Sequence, residues 1–245
     1  MQRYFLEVSY KGTRYSGFQV QNNAVTIQSK VQEALQIFYK SPFQLTCSSR
    51  TDAGVHALQN FFHLDTDLTL INEHCYNLNA LLPSDIVIKQ LIAVNNDLHA
   101  RFSADFREYK YYITNQKNPF CVETAWYYPY SLDIDLLNQA AIILLQHNDF
   151  QSFSKKHTQV NNYRCTLFES KWIYENSQLT YIVKGNRFLR GMVRALVGTM
   201  LLVGRKSISL DEFESIILQK NCNKANFSTP ANGLFLVQVH YPSIL

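Results

Sequence analysis

Glycine and proline are scarce in this chain, with 8 and 6 copies among 245 residues. Glycine alone averages about 7% of residues in soluble proteins, so the composition favours long regular elements with few loop-rich insertions. No apolar run approaches the roughly 18 to 20 residues that a membrane-spanning helix needs. The first seven residues read as strand and lack the apolar region of a signal peptide. We therefore expect a protein of the cytoplasm without a membrane segment.

The cysteines are few and lack the spacing of a zinc or disulfide framework. There are five, an odd number, and no two form a Cys-x-x-Cys pair. Scattered cysteines of this kind are typical of reduced thiols in a cytosolic protein.

The rest of the composition is that of a folded protein, with 47% apolar and 13% aromatic residues. Seven alternating or apolar runs rich in β-branched and aromatic residues predict strands. They are Tyr4–Tyr10, Ala57–Leu64, Ile86–Val94, Glu108–Thr114, Phe168–Tyr174, Leu179–Val183 and Leu234–His240.

Apolar residues recur at helical spacing in five segments. They are Thr26–Tyr39, Asn72–Leu81, Ile134–Leu145, Arg187–Val203 and Ser209–Gln219. The last segment opens with Ser209 and Glu212, the spacing of a capping box. Strands and helices mix without strict alternation, so the sequence predicts an α+β fold with a mainly antiparallel sheet and helices on one side.

The net charge of +4 is small, but the basic residues are unevenly placed. No acidic residue lies between Glu175 and Asp211, or between Asp149 and Glu169. These intervals contain Lys155, Lys156, His157, Arg164, Lys184, Arg187, Arg190, Arg194, Arg205 and Lys206. Local basic patches are what contact with phosphates requires, although a solvated helix face with a charged loop explains the runs equally well.

Asp52 lies in the most informative segment of the chain. Arg50 precedes it by two residues, and Ala53 and Gly54 follow it, so a carboxylate is expected on a tight turn beside a cation. An ionised carboxylate placed in this way can act as a nucleophile, as a base, or as a stabiliser of an oxocarbenium-like sugar. Asp-Ala-Gly alone is also ordinary turn sequence.

Two further groups have both a functional and a structural interpretation. Arg187, Arg190 and Arg194 are spaced so that one helix would bring them to one face, which is also the pattern of a solvated basic stripe. Tyr109 and Tyr111 alternate along a predicted strand, which is also the pattern of strand core or cross-strand packing.

The whole segment from Cys47 to Ala57 resembles the active-site signature of the tRNA pseudouridine synthase A family. Other stretches with this resemblance are residues 10–19, 26–28, 79–86, 107–111, 149–153, 188–199 and 229–236. The chain departs from the family at Phe18, where tryptophan is expected, and at Glu108, where a basic residue is common.

The resemblance implies specific roles for individual residues. Asp52 would be the catalytic carboxylate, Arg194 its ion-pair partner, and Tyr109 the ring that stacks on the target uracil and takes part in proton transfer at the base. Contacts to the RNA would come from Arg50, Arg101, Lys11, Arg187, Arg190, Lys155 and Lys156, with His157 in the same loop as the last two.

The implied reaction is the isomerisation of uridine to pseudouridine at positions 38 to 40 of tRNA. It needs no cofactor and no metal, in keeping with a sequence that has no glycine-rich phosphate loop and only dispersed histidines. The family also implies a homodimer of two-half subunits, with domains 1–115 and 116–245 enclosing a basic cleft. Two rival functions are a non-catalytic RNA-binding module and a glycoside hydrolase, although no second carboxylate is comparably placed.

Overall fold

The computed structural model describes residues 1–156 and 160–242, and these form two compact units. The first unit combines Met1–Asp105 with the chain from Phe235 onward, and the second is Phe106–Leu234. The domains 1–115 and 116–245, and the two similar halves around a basic cleft, stay predictions. Within the described ranges, no helix combines the length and apolar character needed to cross a membrane.

The secondary structure consists of nine strands and five α-helices over the described residues. The strands are β1 (Gln2–Tyr10), β2 (Thr46–Cys47), β3 (His56–Thr66), β4 (Ile86–Val94), β5 (Phe106–Thr114), β6 (Trp126–Tyr127), β7 (Leu167–Glu175), β8 (Gln178–Gly185) and β9 (Leu234–His240). The helices are α1 (Ile27–Tyr39), α2 (His74–Leu81), α3 (Ile134–Leu145), α4 (Met192–Gly204) and α5 (Leu210–Leu218). All seven predicted strands are present, and the short β2 and β6 were not predicted.

The first unit is built on the strand order β4-β1-β3-β9, with β2 also paired to β3. The β1–β3 and β1–β4 pairs are antiparallel. The β3–β9 pair is parallel and sets His56 opposite Phe235. Strand β1 lies between two strands, and its central residues Phe5, Leu6 and Val8 are fully buried. His56 and Ala57 are also buried, so β3 begins in the interior of the unit, after the Asp52 segment.

The second unit contains the antiparallel order β5-β8-β7, with β6 parallel to β5. Buried and partly exposed residues alternate along β5 and β8, as expected for strands with one face in the core. Helix α3 lies against β7, where the Asn138 amide accepts from the backbone N–H of Trp172 and donates to its carbonyl. The predicted α+β fold with a mainly antiparallel sheet is confirmed.

Three helices begin at side chains that cap their free N–H groups. Thr26 accepts from Ser29 N ahead of α1, and Asp133 accepts from Leu136 N ahead of α3. Ahead of α5, Ser209 and Glu212 form the predicted capping box. Such caps contribute about 1 kcal/mol each, and they are local enough to be read from the sequence.

The fourth helix does not begin where the periodicity predicted. Gly191 has a left-handed backbone with φ 73°, and α4 starts only at Met192. A left-handed residue cannot continue an α-helix, so Arg187 and Arg190 lie in the preceding loop and turn. The prediction that Arg187, Arg190 and Arg194 share one helix face is therefore wrong.

The buried His63 on β3 makes the first unit sensitive to acid. Burial lowers the pKa of His63 from 6.5 to about 4, helped by the charges of Arg3 and His99 and opposed by Asp65. The unfolded chain therefore binds this proton first as the pH falls below about 6.5, so protonation favours unfolding down to about pH 4. The contribution of neutral His63 to the free energy of unfolding is therefore fully present above about pH 6.5 and is lost as the pH falls toward about 4.

We expect the free energy of unfolding to fall by about 1–2 kcal/mol more in the native protein than in His63→Gln between pH 7 and pH 5. Glutamine does not titrate and can still accept the hydrogen bond that Ala100 N donates to His63 Nδ1. Urea unfolding at both pH values measures the difference. Equal pH dependence in the two proteins would exclude His63 as the source.

Candidate active site

Asp52 lies on a tight turn at the surface of the first unit, as predicted. The N–H of Val55 donates to the Asp52 carbonyl at 3.2 Å, and Gly54 takes a positive φ of 78°. The Asp52 side chain is partly exposed, whereas Thr51 and Val55 on either side are buried. The turn thus places Asp52 at a partly exposed position between two buried neighbours.

A buried polar network holds the first half of this loop. Ser48 Oγ donates to Asn60 Oδ1 at 2.7 Å, and Asn60 Nδ2 donates to the carbonyl of Ser49 and to the Tyr10 hydroxyl. The Tyr10 and Thr51 hydroxyls lie 2.8 Å apart. Since unpaired polar groups are costly in an apolar interior, this network defines one position for the residues before Asp52.

The second half of the loop lies beneath the N-terminal segment Lys11–Phe18. Gly12 N donates to His56 Nδ1 at 3.1 Å, and Phe18 N donates to the Thr51 carbonyl at 3.1 Å. Gly17 has φ 101°, and a side chain there would come within 3.2 Å of the Thr51 carbonyl oxygen. His56 therefore links the end of the loop to the overlying N-terminal segment.

Gly12 lies so close to the loop that a Cβ at this position would overlap the Val55 carbonyl. We expect Gly12→Ala to lower the free energy of unfolding by about 1–3 kcal/mol, because backbone rather than a flexible side chain must move. The neighbouring Thr13 is exposed, so Thr13→Ala is the control and should stay within about 0.5 kcal/mol. Thermal and urea unfolding measure both variants, and equal stabilities would contradict the predicted overlap.

The predicted RNA contacts of the first unit lie near this loop. Arg50 and Arg101 are exposed, and Lys11 is an exposed residue of the overlying segment. Burial raises the pKa of the Cys47 thiol, and the charges of Arg50 and Arg101 oppose that rise. Both arginines therefore lie near Cys47, the last residue of β2.

Arg194 lies in the first turn of α4 in the second unit and is partly buried. Its Nε–H donates to the Thr229 carbonyl at 2.7 Å, which restricts the orientation of the guanidinium. Burial raises the pKa of Tyr111, and the Arg194 charge opposes that rise. The Tyr111 hydroxyl donates to the Pro230 carbonyl at 2.8 Å, so Arg194 and Tyr111 both contact the 229–230 segment.

Gly198 and Thr199 explain how that segment is held against α4. A side chain at Gly198 would fall on Thr229 and on the Asn226 carbonyl. Thr199 Oγ1 accepts from Asn226 N at 3.0 Å, and Asn226 Nδ2 donates to the Gly198 carbonyl. The small residue permits close approach, and the hydrogen bonds then align the carbonyl that orients Arg194.

Tyr109 is on β5, buried to 8% exposure, and lies opposite Val183 of β8. Its ring meets that of Phe188 edge to face, with the centroids 5.0 Å apart. The strand-core interpretation therefore describes the surroundings of the ring, and its contact with a substrate stays a prediction.

Of the remaining predicted basic residues, Arg187 and Arg190 precede α4 in the chain, and Lys155 packs at the N-terminus of that helix. Lys155 N donates to the Arg190 carbonyl at 3.0 Å, and the aliphatic part of Lys155 lies against Gly191. Arg187 Nη1 donates to Asn162 Oδ1 at 3.4 Å. Lys156 is exposed, and His157, the third residue predicted in this loop, lies outside the described residues.

The predicted site residues are thus divided between the two units. Asp52 belongs to the first unit, whereas Tyr109 and Arg194 belong to the second. The ion pair between Asp52 and Arg194 stays a prediction. The sequence analysis did not predict Asn60, Tyr10 and Thr229 as supporting residues. The polar Asn60 within an otherwise apolar predicted strand could have indicated a buried hydrogen-bonding role.

Comparison with known proteins identifies the family. A family model described as tRNA pseudouridine synthase matches residues 140–242. The tRNA pseudouridine synthase A of Parabacteroides distasonis is 41% identical over 250 residues, covering 100% of this chain and 98% of that protein. The proteins of the same name from Bacteroides fragilis and Anoxybacillus flavithermus are 42% and 37% identical, covering 99% and 98% of this chain and 97% and 99% of theirs. This full-length similarity confirms the resemblance seen in the motifs, and the chain belongs to the tRNA pseudouridine synthase A family.

Proposed function

We propose that this protein isomerises uridine to pseudouridine at positions 38 to 40 of the tRNA anticodon stem-loop. The observation that carries the proposal is the Asp52 carboxylate, presented on a turn that a buried network supports. That turn occurs in a chain similar over its full length to proteins named tRNA pseudouridine synthase A. The family consists of isomerases.

The reaction balances without a redox partner. The bond from ribose C1′ to uracil N1 breaks, the uracil rotates, and C1′ forms a bond to C5, while the proton of C5 is lost and N1 gains one. A carboxylate can attack C1′, attack the base at C6, or remove the C2′ proton. Each route places the ionised Asp52 against the same nucleotide.

Arg194 is proposed as the ion-pair partner of Asp52. A guanidinium presents several N–H donors in a planar fork that matches a carboxylate. The bond from Nε to the Thr229 carbonyl orients that fork before substrate arrives. A cation held in this way would keep the carboxylate ionised as RNA displaces water around it.

Tyr109 is proposed to stack on the target uracil. The edge-to-face contact with Phe188 restrains the orientation of the Tyr109 ring before RNA binds. The base must leave its helix or loop stack to be reached, which costs a few kcal/mol, and stacking on an aromatic ring is worth about 1–3 kcal/mol.

Phosphate contacts are proposed to offset the rest of that cost. In the first unit these come from Lys11, Arg50 and Arg101, which are all exposed. In the second unit they come from Arg187, Arg190, Lys155 and Lys156, around the start of α4. The homodimer and the cytoplasmic location implied by the resemblance stay predictions.

The proposal is tested by incubating the native protein with an unmodified tRNA transcript and mapping pseudouridine at single-nucleotide resolution. We expect product at positions 38 to 40 without added metal or cofactor. Product elsewhere in the tRNA would overturn the position. Tight tRNA binding without any product would instead support the RNA-binding module.

A further inference from the structure

Phe102 is an exposed aromatic residue on a hydrogen-bonded loop of the first unit. Its side chain is 75% exposed. The backbone N–H groups of Arg101 and Phe102 donate to His99 Nδ1 at 3.0 and 3.4 Å. Ser103 closes the loop, since its N–H donates to the His99 carbonyl and its Oγ accepts from His99 N, both at 2.9 Å. These bonds define the direction in which Phe102 projects.

The loop is also anchored to the core of the unit. Ala100 N donates to His63 Nδ1 at 3.1 Å, and the Tyr241 hydroxyl donates to the Ala100 carbonyl at 2.5 Å. Arg3 Nη1 donates to the Leu98 carbonyl at 2.9 Å. The exposure of Phe102 is therefore a property of a fixed loop.

A column of rings connects Phe102 to the buried sheet. Phe5 stacks with His63 at a centroid distance of 6.2 Å, His63 meets His99 at 4.6 Å, and His99 meets Phe102 at 4.4 Å. Burial lowers the pKa of both histidines, in keeping with neutral rings at neutral pH. Phe102 is thus supported on one side by His99, and most of its remaining surface is exposed.

The Phe102 loop carries one guanidinium at the ring and lies beside the strand that leads to the Asp52 segment. The Arg101 guanidinium lies over the Phe102 ring, 5.5 Å from its centroid. His63, which holds the loop, is the register partner of Thr46 on β2. From β2 the chain continues to Arg50 and then to the Asp52 turn. An exposed aromatic ring beside a guanidinium suits a nucleic acid, which offers bases for stacking and phosphates for charge.

We propose that Phe102 stacks on an unpaired base of the tRNA that neighbours the target uridine, and that Arg101 contacts the adjacent phosphate. This inference rests on the proposed function and adds a positioning residue to it. Stacking on the neighbour would hold the strand while the target base is turned out of the helix. Phe102 does not touch the reacting atoms.

The first test compares substitutions of Phe102 in a steady-state assay with an unmodified transcript. We expect Phe102→Ala to raise KM and the Kd for tRNA by about 5- to 100-fold with a smaller change in kcat. Phe102→Trp should restore binding, whereas Phe102→Leu, which lacks a π face, should restore it only in part. Tyr76 of α2, 83% exposed in the same unit, provides the control Tyr76→Ala. Unfolding temperatures should be unchanged, because Phe102 is exposed.

The second test removes the proposed partner from the RNA. Transcripts assembled by ligation carry one abasic residue, either 5′ or 3′ of the target uridine. We expect one of these substitutions to weaken binding by the native protein and to have little further effect on Phe102→Ala. Equal binding by Phe102→Ala and the native protein would overturn the inference. So would a result in which Phe102→Ala and the abasic residue weaken binding independently at both positions. Failure of the native protein to form pseudouridine would instead overturn the proposed function, and the binding measurements would still test the stacking.

Discussion

Asp52→Ala should abolish pseudouridine formation, and Asp52→Asn should lower its rate by about 10⁴-fold or more. Asparagine keeps the shape of the side chain but is neither a base nor a nucleophile of comparable strength, so the isosteric variant isolates the charge. The turn itself should persist, because the bond from Val55 N goes to the backbone carbonyl of Asp52 and the supporting network involves other side chains.

The measurement is the single-turnover rate on an unmodified transcript, together with the Kd for tRNA. We expect binding to stay within about threefold of the native value, since one carboxylate contributes little to contact with a polyanion. Asp67→Asn is a matched control, because its carboxylate is 79% exposed in the same unit. Pseudouridine formation by Asp52→Ala would refute the assignment, and loss of binding alone would favour an RNA-binding module.

Arg194→Ala is the second substitution with a large expected effect, a loss of about 100-fold or more in the single-turnover rate. Removal of the guanidinium takes away the proposed partner of Asp52 and the donor to the Thr229 carbonyl. Arg194→Lys keeps the charge but lacks the planar fork, so we expect it to recover only part of the rate. Arg205→Ala, at the exposed C-cap residue of α4, is the control for loss of one positive charge.

A double-mutant cycle with Asp52→Asn tests the proposed pairing directly. If the two groups act as a pair, Arg194→Ala should lower the single-turnover rate far less in the Asp52→Asn background than in the native protein. Additive losses would show that Arg194 acts elsewhere, through the RNA or through the fold. Unfolding temperatures of all four proteins distinguish an effect through the fold from an effect through the RNA.

Local signals predicted much of this fold. The α3 boundaries match the predicted segment because Asp133 caps the helix and the apolar spacing continues to Leu145. Strands β4 and β9 likewise match in full. The start of α4 was wrong because the apolar periodicity continues through residues 187–191, whereas Gly191 adopts a left-handed conformation that the periodicity does not reveal.

The supporting residues of the site could not be predicted in the same way. Asn60 joins Ser48 and Ser49 because β3 turns its side chain toward the preceding loop, and Tyr10 reaches Thr51 from another strand. Each of these bonds joins residues more than ten positions apart in the chain. Such partners are selected by strand pairing, which has no signature in a short window of sequence.

By itself, the order of amino acids was enough to identify the family, through its motifs, and to predict the turn that carries the Asp52 carboxylate. Both are features of short runs of adjacent residues. Tertiary structure decided what surrounds them. It separated Arg187 and Arg190 from the helix of Arg194, brought Arg101 near Cys47, and left Phe102 exposed on an anchored loop. The physical reason is that exposure and charge environment depend on packing between distant segments, whereas turns and caps depend on the backbone preferences of a few adjacent residues.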